Sequence, residues 1–412
     1  MNNKREVFLF GAGAVIDWDG PQTYEITKLI RERGFSLINS DTKITEFIYQ
    51  RLLKAGYSES EINFETIINV IEELMVYFSE FNKEKKTPSL LKVFLLENNL
   101  SEIFNFSIKG GIRKHGYTLQ IPINKDYPFA KVSYFDENPN QFFLQHLLAY
   151  LLTAINNLVS KYSWNTENSS VIDKETEYSL TFRKWITSKK CIIRLYTLNY
   201  DNLFKSLLEK EDIKCFDGFY ESKDVQSKPD VKRILSDTES PVHYNLHGSS
   251  YWKVLSKVHS DVYSPEIVKL KGISLNAAPI FLEMEKGKTI LVSNIITGYQ
   301  KTQKSAITPF RQMQSAFDKD CLFADKITII GYSFGDEHIN EIIRTALKYN
   351  KKLRIEIIDP DFIKKKMDLN FASNIFPIYN QIDSNNEKNI YSYFNSKIKV
   401  FNMKFLEYLK YE

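Results

Sequence analysis

The sequence predicts an α/β protein built on a Rossmann-like, doubly wound parallel sheet that is interrupted by a large, mostly helical insertion. Two observations predict the sheet. Short apolar runs lie at the start of the chain and again after residue 190, and a glycine turn or polar residues follow most of them. Long apolar patterns with helical spacing in the middle of the chain predict the insertion. The fold class therefore follows from where the hydrophobic period changes.

The first predicted unit is a strand, a glycine turn and a helix. The apolar run at residues 7–10 stops at Gly11-Ala12-Gly13, and apolar residues recur at helical spacing in residues 23–33. Because glycine has no Cβ, such a turn lets the backbone approach another group closely.

The predicted insertion covers residues 46–189. Its apolar spacing predicts helices at residues 47–53, 64–78, 90–96 and 142–158. Between them, residues 104–127 predict a hairpin, because Gly110-Gly111 precedes alternating Tyr117, Leu119 and Ile121.

The remaining strands are predicted after residue 190, at residues 192–198, 242–246, 289–292, 327–330 and 353–358. Four of them end in small or polar residues, at 199–201, 247–249, 331–333 and 359–360. Since ligands of open α/β sheets bind at the carboxyl ends of strands, four such ends predict one shared site. The predicted domains are residues 1–45 with 190–362, the insertion, and a C-terminal extension at 363–412 with a strand around 397–405.

Composition and charge exclude several classes of protein. Lys and Arg total 55 against 51 Asp and Glu, and the lysine clusters are short and separated, so no nucleic-acid surface is predicted. No apolar run approaches the roughly 18 to 20 residues of a membrane span. Cys191, Cys215 and Cys321 form no CxxC pair. We expect a cytoplasmic protein with reduced cysteines.

Candidate ligand-binding residues lie in the two glycine-containing turns. The Gly11-Ala12-Gly13 turn could hold a pyrophosphate with the amides and dipole of a following helix. Ile16 replaces the last glycine of a full GxGxxG fingerprint, and a ligand-free tight turn is an equal alternative. Gly331 and Ser333 could approach phosphate or ribose, or could simply form a turn.

Candidate catalytic residues follow two other strands. Asn199 and Asp201 offer an amide and a carboxylate two residues apart, although such residues often only cap helices. His247 precedes Gly248, which would leave room for a ligand, and imidazole exchanges protons near neutral pH. A satisfied structural histidine is the alternative, and His338 is noted only because it lies just past the Gly331 motif.

These four motifs, in the order in which they follow along the chain, resemble those of the sirtuin family. The resemblance implies a sirtuin-like Rossmann NAD-binding domain over residues 1–45 and 190–362. It implies that His247, Asn199 and Asp201 are catalytic and that NAD is bound by a set of strand-end residues: Gly11, Ala12, Gly13, Thr23, Asn199, Asp201, Gly331, Ser333 and Asp359.

Three departures separate the chain from deacylating sirtuins. It has no two cysteine pairs for a structural zinc, so neither zinc nor another metal is expected. Leu198 stands where sirtuins usually have Gln. The segment at residues 15–23 keeps Gly20-Pro21 but lacks the usual Pro-Asp-Phe-Arg run. These changes weaken a deacylase assignment and leave NAD binding in place.

The segments at residues 11–23 and 331–340 resemble those of the zinc-less, sirtuin-like NAD hydrolases of bacterial antiphage defence. The size of the chain also resembles that of the sirtuin-like subunit that works with a HerA-type ATPase. The resemblance implies an NAD glycohydrolase that depletes NAD as an effector of abortive infection, with NAD as substrate and no permanently bound cofactor. The insertion and C-terminal extension are natural surfaces for a homo-oligomer or a HerA-type partner. Two alternatives stay open: a non-catalytic module that senses NAD or ADP-ribose, and a deacylase or ADP-ribosyltransferase.

Overall fold

The computed structural model describes residues 4–79, 100–109, 117–122, 128–133, 138–162, 176–259, 262–285, 288–298, 300–365, 382–387, 389–393 and 396–412. Among them the strands, in chain order, are β1 (Lys4–Phe10), β2 (Ser107–Lys109), β3 (Tyr117–Pro122), β4 (Pro128–Ser133), β5 (Cys191–Thr197), β6 (Gln226–Ser227), β7 (Val242–Asn245), β8 (Trp252–His259), β9 (Val262–Leu270), β10 (Ile280–Glu285), β11 (Lys288–Val292), β12 (Lys326–Ile330), β13 (Arg354–Ile358), β14 (Ile382–Glu387), β15 (Ile390–Tyr393) and β16 (Ile398–Phe401).

The α-helices of the described residues are α1 (Thr23–Glu32), α2 (Ile44–Lys54), α3 (Phe64–Tyr77), α4 (Pro139–Ser160), α5 (Glu177–Ser188), α6 (Leu203–Glu209), α7 (Val231–Ser236), α8 (Lys301–Ser305), α9 (Phe310–Leu322), α10 (Glu337–Tyr349), α11 (Phe362–Lys365) and α12 (Phe405–Tyr411). Two 3-10 helices span Ala12–Trp18 and Leu100–Ile103. The helix predicted at residues 90–96 lies outside the described residues.

The main sheet confirms the predicted fold class. Its strand order is β14-β15-β16-β13-β12-β1-β5-β7. The strands from β16 to β7 pair in parallel, while β14 and β15 pair antiparallel at one edge. The chain extends the sheet from β1 through β5 to β7 on one side, and from β12 through β13 to β16 on the other. The order therefore reverses at β1, as in a doubly wound fold.

Both faces of the sheet are buried because β1 is apolar on both of them. Val7 and Leu9 belong to one core with helices α9 and α10, and Phe8 and Phe10 belong to another with α5 and α12. Successive strand residues point to opposite faces, so a continuous apolar run needs helices on each side. The run at residues 7–10 was therefore a correct signal for a central strand.

The insertion shares a further core with α1, which lies outside the predicted residues 46–189, and with Leu291 of β11. Helices α1, α2, α3 and α4 contribute its buried side chains, together with Leu119 and Ile121 of β3. Helix α4 is long and apolar enough to cross a membrane by length and composition, but Phe143, Leu147 and Leu151 are fully buried against the neighbouring helices. A core helix in a protein of this size accounts for that composition.

Several details differ from the sequence-based expectations. The strand predicted at residues 289–292 is β11, which pairs antiparallel with β10 outside the main sheet, so its prediction as a parallel strand was wrong. The predicted hairpin gains a third strand and forms the small sheet β2-β3-β4. Helix α5 was not predicted; it lies within residues 46–189 but packs on the main sheet through Phe182 and Trp185. The final strand predicted around residues 397–405 is confirmed as β16.

Candidate active site

The sheet register brings the predicted motifs to one edge. Phe10, the last residue of β1, is paired with Thr197 of β5 and Ile330 of β12. Thr197 is paired in turn with Asn245 of β7, and Ile330 with Ile358 of β13. Adjacent strands lie about 4.8 Å apart, so the residues that follow these five ends occupy neighbouring positions on one edge.

The two glycine turns pack against each other. The backbone amide of Gly11 donates to the Ile330 carbonyl at 2.9 Å, and that of Gly13 donates to the Gly331 carbonyl at 2.9 Å. Gly331 has φ +61°, and a Cβ there would lie 2.3 Å from the Ala14 nitrogen. The glycines are thus explained by loop packing, and the amides of Gly11 and Gly13 bond protein carbonyls.

The Gly331→Ala variant tests this explanation. We expect it to lower the free energy of unfolding by about 2 kcal/mol or more, because a positive φ and a backbone clash are both imposed on the new side chain. Gly56→Ala is the matched control, since Gly56 has φ +96° but no atom within 4 Å of a new Cβ. Urea unfolding should show a clearly larger loss for Gly331→Ala; equal losses would contradict the packing explanation.

Asn199 links the end of β5 to the first glycine turn. Its Nδ2 donates to the Gly11 carbonyl at 3.1 Å, and its backbone amide donates to Thr197 Oγ1 at 3.0 Å. Asn245 fixes the same loop by donating from Nδ2 to the carbonyls of Asn199 and Asp201. The half-buried Asn199 side chain is therefore held in place while one of its faces reaches solvent.

Asp201 lies beside Asn199 but is buried and already bonded. Its Oδ1 accepts from the Leu203 amide at 2.8 Å at the start of α6, and its Oδ2 accepts from the Tyr162 hydroxyl at 2.5 Å. Burial raises the pKa of this carboxyl. The structure thus supports the helix-capping alternative for Asp201, and its catalytic role stays a prediction.

His247 is buried directly after β7. Its side chain is 4% exposed, and no described residue hydrogen-bonds to its Nε2. Its backbone carbonyl accepts from the Ile296 amide at 2.7 Å. A Cβ on Gly248 would lie 2.2 Å from the Asn294 carbonyl oxygen. Segment 293–298, rather than a ligand, therefore fills the room that was predicted beside Gly248.

A cluster of charged residues surrounds His247. Asp336 Oδ1 lies 4.0 Å from His247 Nε2 and 3.1 Å from Lys301 Nζ. Lys301 Nζ also contacts Glu65 Oε2 at 2.7 Å. The His338 ring lies 5.6 Å from the His247 ring, centroid to centroid. The cluster joins the end of β7, the loop after β12, helix α8 and the insertion helix α3.

The electrostatics of the cluster keep His247 neutral. Burial lowers its pKa to about 4, opposed by Asp336 and assisted by Lys301 and His338. Burial opposes the charge on Asp336, but His247, Lys301 and His338 outweigh it and hold the Asp336 pKa at about 2. Burial also opposes the charge on Lys301, yet Glu65 and Asp336 raise its pKa to about 12. Near pH 7, His247 can therefore accept a proton.

The sequence reasoning missed most of this cluster. Asp336 lies three residues after Ser333 and was given no role, and His338 was set aside although its ring is 5.6 Å from that of His247. Lys301 and Glu65 follow no predicted strand, so no pattern pointed to them. A charged side chain held from a separate helix carries no local sequence signal.

The other predicted ligand-binding residues are spread along the edge. Ala12 opens the 3-10 helix, Thr23 is exposed at the start of α1, and Ser333 is exposed in the loop after β12. Asp359 is buried after β13, where its Oδ1 accepts from the Asp361 amide at 2.9 Å. The described residues contain no group of three or more His, Cys, Asp or Glu arranged to hold a metal.

Part of the chain is similar to a known protein family. Residues 194–374 match the family model described as a SIR2-like domain. The matched range contains Asn199, His247 and Gly331. The match begins in β5, so the first glycine turn lies outside it. No curated protein matches the chain.

Solved structures with similarity to the chain include Sir2 proteins. A Sir2 homologue in complex with NAD is 13% identical, with 87% of this chain and 79% of that chain covered and a TM-score of 0.32. A Sir2 homologue mutant with ADP-ribose is 13% identical, with 87% and 82% covered and a TM-score of 0.33. A Sir2 complex with a p53 peptide and NAD+ is 9% identical, with 100% and 92% covered and a TM-score of 0.34.

Proposed function

We propose that this protein is an NAD hydrolase that cleaves the bond between nicotinamide and ribose. One observation carries the proposal: a buried, neutral imidazole, with a ring nitrogen that no described residue bonds, follows the strand next to the one that carries Asn199. An unbonded polar atom in a buried site is unfavourable unless a ligand or water satisfies it. The SIR2-like match over both residues supports NAD as that ligand.

The proposed reaction consumes one water for each NAD. The bond from ribose C1′ to the nicotinamide nitrogen breaks, and its electron pair leaves with nicotinamide. Water forms the new bond to C1′ and loses a proton to His247, which gives ADP-ribose. Positive, oxocarbenium-like charge develops on the ribose, and a site that excludes water favours its stabilisation by fixed dipoles.

Each site residue has a role that its contacts allow. Asn199, held by Gly11, would orient the water or a ribose hydroxyl with its side-chain amide. Asp201 would stabilise the loop that carries Asn199, and its buried charge would favour the developing cation. The exposed Ser333 hydroxyl would contact the ribose or phosphates of NAD, with Gly331 and Asp359 shaping the same part of the edge.

A non-catalytic NAD or ADP-ribose sensor is the second candidate. The observation that favours it is that both Asp201 oxygens, and the amides of Gly11 and Gly13, already bond protein atoms. Fewer groups are then available for catalysis than the motifs suggested. A deacylase or ADP-ribosyltransferase would need an acceptor site, which no observation here supports.

We further propose a cellular role on the strength of the sequence resemblance. The protein would act in the cytoplasm as a homo-oligomer, together with a HerA-type ATPase, and would deplete NAD during antiphage defence. A partner-dependent enzyme would avoid destroying NAD in uninfected cells. Expression with and without a candidate ATPase, followed by measurement of cellular NAD, would test this role.

The purified protein should convert NAD into equal amounts of nicotinamide and ADP-ribose. Products are measured by chromatography, with and without the candidate partner, beside the His247→Ala variant as the blank. NAD bound in stoichiometric amount without nicotinamide release, under every condition, would support the sensor instead. Label transferred from NAD onto protein would support the transferase.

A further inference from the structure

A chain of four ionisable side chains runs from the insertion to His247. Glu65 of α3 contacts Lys301 of α8 at 2.7 Å, and Lys301 contacts Asp336 at 3.1 Å. Asp336 then faces His247 Nε2 at 4.0 Å. The charges of Glu65, Lys301 and Asp336 alternate in sign, and none of the four side chains is more than 26% exposed.

Asp336 occupies the N-cap position of α10, but its side chain does not cap the helix. It is the N-cap residue of α10, where an aspartate usually accepts a hydrogen bond from a helix amide. Its side chain makes no such bond and contacts Lys301 instead. The N-cap loop is stabilised otherwise, since the Tyr332 hydroxyl accepts from the Asp336 amide and donates to Asn340 Oδ1. The Asp336 carboxylate therefore faces Lys301 and His247 rather than the helix amides.

We propose that Asp336 is a positioning residue for His247, and that Lys301 and Glu65 hold it in place, so that the insertion takes part in the active site. The inference rests on the proposed function for its catalytic consequence. Asp336 would orient the imidazole of His247 through the charge that it places 4.0 Å from Nε2. It would also stabilise the imidazolium that forms.

This row of side chains leads us to expect opposite effects on the His247 pKa when Asp336 or Lys301 loses its charge. The charged or titratable groups that act on His247 are Asp336 from the loop after β12, Lys301 from α8 and His338 from α10, with Glu65 of α3 behind Lys301. Removing the negative charge of Asp336 should lower the His247 pKa, because the imidazolium loses its counter-ion. Removing the positive charge of Lys301 should raise it. A residue with only a packing role would not reverse the sign.

The contact with the insertion is reinforced by a second ion pair. Lys304, one helical turn after Lys301 in α8, donates to both carboxylate oxygens of Glu72 in α3, at 2.7 and 2.8 Å. Glu65 and Glu72 are seven residues apart, so they lie on the same face of α3. Helix α8 is thus fixed to the insertion at two points, and a shift of α3 would move Lys301 relative to Asp336.

The test is a titration of His247 by NMR of protein labelled in its six histidines, with the signal assigned by comparison with His247→Ala. We expect Asp336→Asn to lower the His247 pKa and Lys301→Met to raise it, each by about one unit, as expected for a charge at this distance. Glu65→Gln should give a smaller shift in the direction of Asp336→Asn.

Two controls separate positioning from a general loss of structure. Lys301→Arg keeps the charge and should restore the wild-type His247 titration that Lys301→Met changes. Glu46→Gln breaks another 2.7 Å ion pair of similar exposure, with Arg31 of α1, and should leave the His247 titration unchanged. Shifts of the same sign in Asp336→Asn and Lys301→Met, or no shift, would overturn the proposal.

The failure of this inference can be told apart from that of the proposed function. NAD hydrolysis by the wild type without the opposite shifts would remove the positioning role and leave the hydrolase. Opposite shifts without hydrolysis would establish the electrostatic chain and reject the hydrolase. If both hold, Asp336→Asn should also lower kcat with little change in KM, because Asp336 acts through His247 rather than on NAD.

Discussion

Replacing His247 by alanine is expected to lower kcat for NAD hydrolysis by about a hundred- to ten-thousand-fold, the usual contribution of a general base. Burial holds the pKa of His247 at about 4, so the imidazole is neutral and able to accept a proton at pH 7. Alanine offers no acceptor in its place. NAD affinity, measured by calorimetry, should change far less than kcat, since the imidazole acts on the water rather than on the bound nucleotide.

His243→Ala is the matched control for this prediction. His243 lies within β7, is buried like His247, and has a ring nitrogen, Nδ1, without a partner among the described residues. Burial lowers its pKa to about 3. Its replacement should cost comparable packing and stability but leave turnover per folded molecule near the wild-type value. Equal losses in both variants would assign the effect to damaged packing.

Replacing Lys304 by methionine is expected to lower the free energy of unfolding by about 3 to 5 kcal/mol, because the buried charge of Glu72 loses its lysine counter-ion. Lys304 is 3% exposed and Glu72 is 1% exposed at the side chain. Lys304 Nζ also donates to the Thr297 carbonyl at 2.6 Å, so a backbone acceptor loses its donor as well. Urea unfolding followed by circular dichroism measures the loss.

The double variant Lys304→Met with Glu72→Met separates charge from packing. Replacing a whole buried ion pair by apolar residues of similar volume is often neutral or stabilising, so the double variant should regain most of the lost stability. Arg31→Met, at a partly exposed pair with Glu46, should cost no more than about 1 kcal/mol. A double variant as unstable as Lys304→Met would show that the lysine stem, not the charge, holds α8 to α3.

The candidate site could be predicted from sequence wherever its residues follow a strand of the main sheet. Asn199, His247 and Gly331 each come directly after an apolar run, and the parallel register places those ends on one edge. The roles of the flanking residues were less predictable. Gly248 and Gly331 allow other backbone segments to approach closely, and only the folded chain shows which segments those are.

The insertion shows why the rest could not be read from the chain. Glu65 is 236 residues from Lys301 in sequence, and the two meet only because α3 packs beside α8. Helix α5 shows a similar limit: it lies within the predicted residues 46–189, but Trp185 packs against Phe8 and Phe182 against Phe10 of the main sheet. Periodicity reports that a face is apolar and does not report what covers it.

By itself, the sequence determined most of the elements, the parallel character of the main sheet and the polar strand ends at its edge, because these depend on local hydrophobic period and on the shared direction of parallel strands. The tertiary structure decided which polar groups at that edge are free and which are already bonded. It also decided which charges face His247, because ion pairs and buried contacts join residues far apart in the chain. The chemistry of the site depends on those long-range contacts.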